Sequence, residues 1–187
     1  MRTRVNILAG LVLSVICLAA ATQSAAEILV PVNYVLSAGT SQYTDSTGKE
    51  LNDNVCGETR YMDPAWVGWY NFGATGEDVV ITFDFGAARK FTRFSLVSLN
   101  QPEAGINPIE KIAVSFSEDN RVFSTPTVFL TTKDEQASGP GGRVVNLARQ
   151  MAGRGQWVKF VIRQKNPSTD HPWVFISEVD FEGSSAK

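Results

Sequence analysis

The chain has 187 residues, 43% of them hydrophobic and 19% charged, with 17 basic against 19 acidic side chains and a formal net charge of −2. That length suits one ordinary domain, the apolar fraction excludes wholesale disorder, and the balanced charge gives no electrostatic footprint for nucleic acid. With His171 the single histidine and Cys17 and Cys56 the only cysteines, a Cys/His zinc centre or a His-dependent nucleophile has little to build on.

Residues 1–26 read as a secretory signal peptide. Arg2 and Arg4 form a basic n-region, Val5 to Ala21 is an apolar stretch with almost nothing polar in it, and Ser24 and Ala26 stand at −3 and −1 of a cut before Glu27. An uncleaved anchor fits less well, because the apolar run is short for a bilayer core of ~30 Å. A lipoprotein reading on Cys17 fails because Ile16 occupies the place of a small residue. Removing the leader takes Arg2 and Arg4 and no acid, so the net charge moves from −2 to −4. The domain is then residues 27–187, exported to the periplasm, the cell surface or the medium. Its one thiol, Cys56, reads as a small buried hydrophobe rather than a reactive group or an intermolecular disulfide.

Beyond the leader the apolar residues alternate. Val79, Ile81, Phe83 and Phe85 share one face, as do Ile112, Val114 and Phe116, then Val158, Phe160 and Ile162, and finally Trp173, Phe175, Ser177, Val179 and Phe181. A period of two marks half-buried strands of an antiparallel sheet. The run Phe91–Leu99 changes phase between Leu96 and Val97, which predicts a β-bulge. Turn signals separate these runs at Thr75-Gly76, Gly86-Ala87, Gly105 to Pro108, Glu118 to Asn120, Gly139 to Gly142 and Asn166-Pro167. Val144–Met151 is the one helix-like stretch. The pattern predicts an all-β, antiparallel sandwich or jelly roll in a single domain.

Few segments carry chemistry. Gly139–Gly142 lacks phosphate-loop spacing and reads as a surface loop. His171, in Asp170-His171-Pro172-Trp173, has no Gly-x-Ser-x-Gly partner and reads as a loop histidine able to hydrogen-bond a ligand. No pair of carboxylates is marked for glycoside hydrolysis. Tyr43 to Asn54 is dense in oxygen donors, which suits either an Asx-rich turn or a hard cation such as calcium. Trp66, Trp69 and Tyr70 read as core, with a loop-rim aromatic as the alternative.

The order of these pieces resembles the coagulation factor 5/8 type C, or discoidin-like, family of the galactose-binding-like fold. The resemblance rests on Tyr43 to Asp53 with Leu51-Asn52-Asp53-Asn54, Trp66 to Trp69, Ile81 to Gly86, Gly105 to Pro108, Ser117 to Asn120, Trp157-Val158-Lys159 and Trp173 to Val179. It implies an antiparallel jelly-roll β-sandwich of about eight strands, in general non-catalytic, whose loops at one end bind a ligand. It implies carbohydrate as that ligand, with a structural calcium held by Asp53, a carbonyl near Leu51 and Glu178. Asn54 and Asn120 replace the family's usual glycines, and the cysteine pair that often ties its termini is missing.

On that resemblance the ligand residues expected in the loops are Tyr43, Asn100, Gln101, Arg143, His171 and Trp173, with Trp173 equally able to serve the core. The alternatives are an extracellular protein-interaction or adhesion domain and a small secreted hydrolase or lyase. Membrane lipid is disfavoured because the loops Asn100–Asn107 and Lys133–Gly142 are mainly polar.

Overall fold

A computed structural model describes residues 26–37, 42–70, 78–165 and 173–186. The leader up to residue 25, the Thr75-Gly76 and Asn166-Pro167 turns, and His171 lie outside the described residues. The strands are β1 (Glu27–Leu29), β2 (Asn33–Leu36), β3 (Val67–Tyr70), β4 (Val79–Asn100), β5 (Ile109–Ser117), β6 (Thr127–Leu130), β7 (Arg143–Gln164) and β8 (Trp173–Ser185). They pair antiparallel in the order β1-β8-β4-β7-β5-β6, with β2 added to β4 and β3 to β8.

The two 22-residue strands explain how one ladder becomes a sandwich. Residues 81–84 of β4 pair with β2, whereas residues 89–98 pair with β8. The register breaks between Asp84 and Arg89, where Gly86 adopts φ 69°, a conformation a side chain disfavours. β7 follows the same division, its later residues pairing with β5 and its earlier ones with the second part of β4. One layer therefore holds β2, β5, β6 and parts of β4 and β7; the other holds β1, β3, β8 and the remaining parts. Between them Phe181 of β8 meets Phe83 at 4.9 Å and Phe160 at 5.6 Å in tilted and edge-on contacts.

The predicted alternation holds in the first layer: Val79, Ile81, Phe83, Phe85, Ile112, Val114, Phe116, Val158, Phe160 and Ile162 are all buried. Three expectations change. Val144–Met151 is strand, because its backbone pairs along residues 93–99 of β4. Trp173 and Phe175 do not share a face with Val179 and Phe181. Val97 pairs with Glu178 and Ser98 with Ile176, so Ser177 is an extra residue on β8 and flips the phase. That bulge lies one step past the expected Leu96–Val97 position, and a second falls at Phe91/Arg93. Cys56 is exposed rather than buried.

The Ser177 bulge creates a second, smaller apolar cluster on the outer side of β8. It comprises Trp66, Val97, Leu99, Ile106 and Phe175, with Tyr43, Ala104, Val144 and Trp173 packed around it, separate from the main core. Trp66 and Trp69 are buried, as the core reading expected. Asn54 and Asn120 adopt φ 65° and 58°, the left-handed conformation that Asn tolerates where glycine is usual.

Candidate functional site

The second cluster opens at one end of the molecule. β4 ends at Asn100, and a 3-10 turn at Pro102–Ala104 is closed by Gly105 in a left-handed conformation, φ 75°. Gln101 and Ile106 bond across this turn through backbone, and Ile106 also bridges to Trp173 at the start of β8. On the other side Tyr43 accepts the Gly68 N–H at 2.9 Å, which holds the Tyr43 segment beside β3. Gly68 is required there, since a Cβ would lie 2.6 Å from the Phe175 ring and 2.9 Å from Tyr43 Cβ.

The result is a cleft of about 240 Å³ lined by Gln42, Tyr43, Tyr61, Ala104, Ile106, Trp173 and Phe175. Trp173 meets Tyr43 edge-on at 5.2 Å and Tyr70 at 4.9 Å, while Phe175 packs against Tyr43 at 4.8 Å and Trp173 at 5.5 Å. The aromatic walls are therefore braced by one another. Burial, with Tyr61 nearby, raises the Tyr43 phenol above its ordinary range, so it stays a neutral donor and acceptor at physiological pH. A half-open aromatic cleft with a few polar groups suits a ring-shaped, hydroxylated ligand.

Of the six expected ligand residues, Tyr43 and Trp173 meet in this cleft. Gln101 braces its rim: the backbone holds the turn, and the side chain lies against Gly142, where a Cβ would sit 3.2 Å away. Asn100 is 1% exposed and outside the cleft lining; it donates through Nδ2 to the carbonyls of Glu135 at 2.8 Å and Ala137 at 3.1 Å, so its amide nitrogen anchors a loop. Arg143 donates to the Asp134 carbonyl at 2.6 Å and pairs with its carboxylate at 3.3 Å, beside the cleft but outside its lining. His171 lies outside the described residues. Sequence reasoning missed Tyr61, whose only signal was an aromatic in a turn-rich segment, Tyr61-Met62-Asp63-Pro64.

The expected calcium ligands gather at the edge of β8. Leu51 accepts the Val179 N–H at 2.8 Å, and Glu178 Oε2 accepts the Asn54 N–H at 2.9 Å. Asp53 Oδ1 accepts from Val55 at 2.9 Å. Glu178 is buried, and that burial, with Asp180 and Asp53 close by, pushes its carboxyl up to about 7. Asn52, next to Asp53 in the chain, turns its amide to the Pro31 carbonyl at 3.3 Å rather than toward Glu178. Among those residues no three acidic, His or Cys side chains converge, so a cation here would need backbone carbonyls as well. The Leu51 carbonyl, Asp53 Oδ1 and Glu178 Oε2 each already accept a backbone N–H.

A family model, the DS-like domain of discoidin domain-containing receptor 1/2, matches residues 30–183. No curated protein matches the chain in sequence. Among solved structures, the lectin domain of lectinolysin complexed with Lewis B antigen has a TM-score of 0.55 at 14% identity, covering 82% of this chain and 93% of that one. The family 32 carbohydrate-binding module of Clostridium perfringens NanJ, in complex with galactose, has a TM-score of 0.50 at 12% identity, covering 84% and 98%. A truncated AlyQ with a family 32 carbohydrate-binding module and an alginate lyase domain has a TM-score of 0.53 at 13% identity. The match covers 87% of this chain but 34% of that two-domain protein. At these identities the likeness is one of fold.

Proposed function

The chain belongs to the discoidin DS-like domain family, and on that premise we propose that it is an exported, non-catalytic module that binds glycan in the Tyr43–Tyr61–Trp173 cleft. The carrying observation is the cleft itself: four aromatic side chains and Gln42 at the end of a sandwich whose relatives in fold include sugar-bound modules. Aromatic faces stack on the C–H face of a pyranose, and the phenols and the Gln42 amide meet its hydroxyls. Export is supported by the basic and apolar leader. Calcium, when bound by Asp53, Glu178 and the Leu51 carbonyl, would supply countercharge to a buried carboxylate; Glu178 would hold the 53–55 turn against β8 with or without it.

The test is a glycan array probed with the full mature chain, in calcium and in chelator. Binding to a coherent set of related sugars, reduced at least about tenfold by Trp173→Ala or Tyr61→Ala, is expected. Loss in chelator would tie the calcium edge to the integrity of the cleft. A blank array from folded protein would overturn the glycan reading in favour of a polypeptide partner.

A further inference from the structure

A second hollow lies on the outer face of the other layer, formed by β-sheet register rather than by the loops of the cleft. Asn33 of β2 pairs with Asp84 of β4, and Asp84 with Trp157 of β7. Their chain neighbours Tyr34, Phe83, Phe85 and Val158 are buried in the core. The three aligned side chains therefore point outward together. Thr82, two residues along β4, shares that face. The turn after β5 forms a wall: Asp119 Oδ1 accepts from Arg121 at 2.9 Å, from Val122 at 3.0 Å and from the Ser117 hydroxyl at 3.0 Å. This fixes Asn120 in its left-handed conformation over the hollow. The pocket so enclosed measures about 300 Å³.

Its polar groups are set but incompletely used. Asp84 Oδ1 accepts from the Gly86 N–H at 2.8 Å and from Gln156 Nε2 at 2.9 Å. Among the described residues no partner meets Oδ2, the Asn33 or Asn120 amides, or the Thr82 hydroxyl. Two planar amides, one free carboxylate oxygen and a hydroxyl beside a half-buried indole match the face and adjacent hydroxyls of a sugar ring. The pocket lining carries an acid and no basic side chain. Lys159, paired with Thr82, directs its ammonium over the Phe123 ring at 3.9 Å. We propose that the Asn33–Asp84–Trp157 hollow is a second binding site, selective for a neutral pyranose over an anionic one. It stands on its own residues and does not need the Tyr43–Trp173 cleft to bind sugar.

The experiment is an NMR titration of the mature chain with galactose, glucose, mannose, N-acetylglucosamine and glucuronate, each to roughly 50 mM, following the Trp157 indole N–H identified by Trp157→Phe. A saturable shift with at least one neutral sugar is expected, with a millimolar Kd typical of a single-ring contact. Asn33→Ala and Asp84→Asn should each weaken it at least about fivefold, while Tyr61→Ala leaves it unchanged. No saturable shift with any neutral sugar would overturn the proposal. So would a shift indifferent to both Asn33→Ala and Asp84→Asn, or tighter binding of glucuronate. Because Tyr61→Ala acts only on the cleft, failure of either site is read separately.

Discussion

Asn100 shows how one buried amide can fasten a loop beside the strand that carries it. Its two N–H groups satisfy the Glu135 and Ala137 carbonyls, and Asn100→Ala would strand both acceptors at a cost of about 2 kcal/mol. Thermal melting of that variant should shift downward, while sugar affinity measured well below the melting temperature stays within about twofold; a selective loss of binding at unchanged stability would instead make Asn100 a ligand group. An amide at a strand end carries the same sequence signal whether it meets a hydroxyl or a neighbouring carbonyl. Which of these it meets depends on a loop 35 residues away. Tyr43 and Trp173 stood out as aromatics beside loops, and the structure brings both into the cleft, where they also pack on the second apolar cluster. Tyr61, which is 38% exposed, became a cleft residue only when the fold brought its turn beside Trp173. The groove around Trp157 was hidden for a similar reason: its residues come from three strands, and only register aligns them.

At the scale of elements, the loop between β6 and β7 is fastened to β7 by an ion pair. Arg149 donates to both oxygens of Glu135 at 2.7 Å, and Thr132 N–H adds a third bond at 2.7 Å. The hydrogen bonds from Arg149, foremost, hold the Glu135 carboxyl down at about 2. A depressed carboxyl contributes stability above its unfolded value near 4.5, and that contribution is lost as pH falls from there through about 2. With the Glu135 side chain 18% exposed, solvent screening reduces the contribution to about 2 kcal/mol. Chemical denaturation from pH 5 to 2 should therefore show a steeper decline for the natural chain than for Glu135→Gln, and parallel curves would refute the assignment. Arg149 stands in the segment 144–151, whose short apolar pattern suits a helix. Its strand conformation is imposed by pairing with β4 on one side, a tertiary constraint that local periodicity does not contain. The regular alternation of Val79 to Phe85 was readable because one face meets the core and the other does not. Around Trp173 to Phe181 the alternation persists in the sequence, but the bulge at Ser177 puts its two halves on opposite faces, both of them buried.

For the molecule as a whole, β4 and β7 each run through both layers, so neither layer has a hydrogen-bonded edge along which it could separate from the other. The interior repeats this coupling in side chains: Phe181 from one layer contacts Phe83, Phe85 and Phe160 of the other at centroid distances of 4.9 to 5.6 Å. Opening one layer would expose rings that complete the core of the other, and shared strands would have to break their ladders at the same time. The fold should therefore melt as a single cooperative unit. Calorimetry of the mature chain is expected to give one transition whose calorimetric and van't Hoff enthalpies agree. Phe181→Ala removes a fully buried ring, at a cost of about 3–5 kcal/mol. It should lower that single transition without dividing it, since the cavity it leaves borders both layers. Two resolved transitions, in the natural chain or in the variant, would show that the layers fold separately. The cleft and the Trp157 hollow, which belong to different layers, would then rest on independent units. A single transition instead means that each site is supported by the same core, so that damage deep in either layer reaches both.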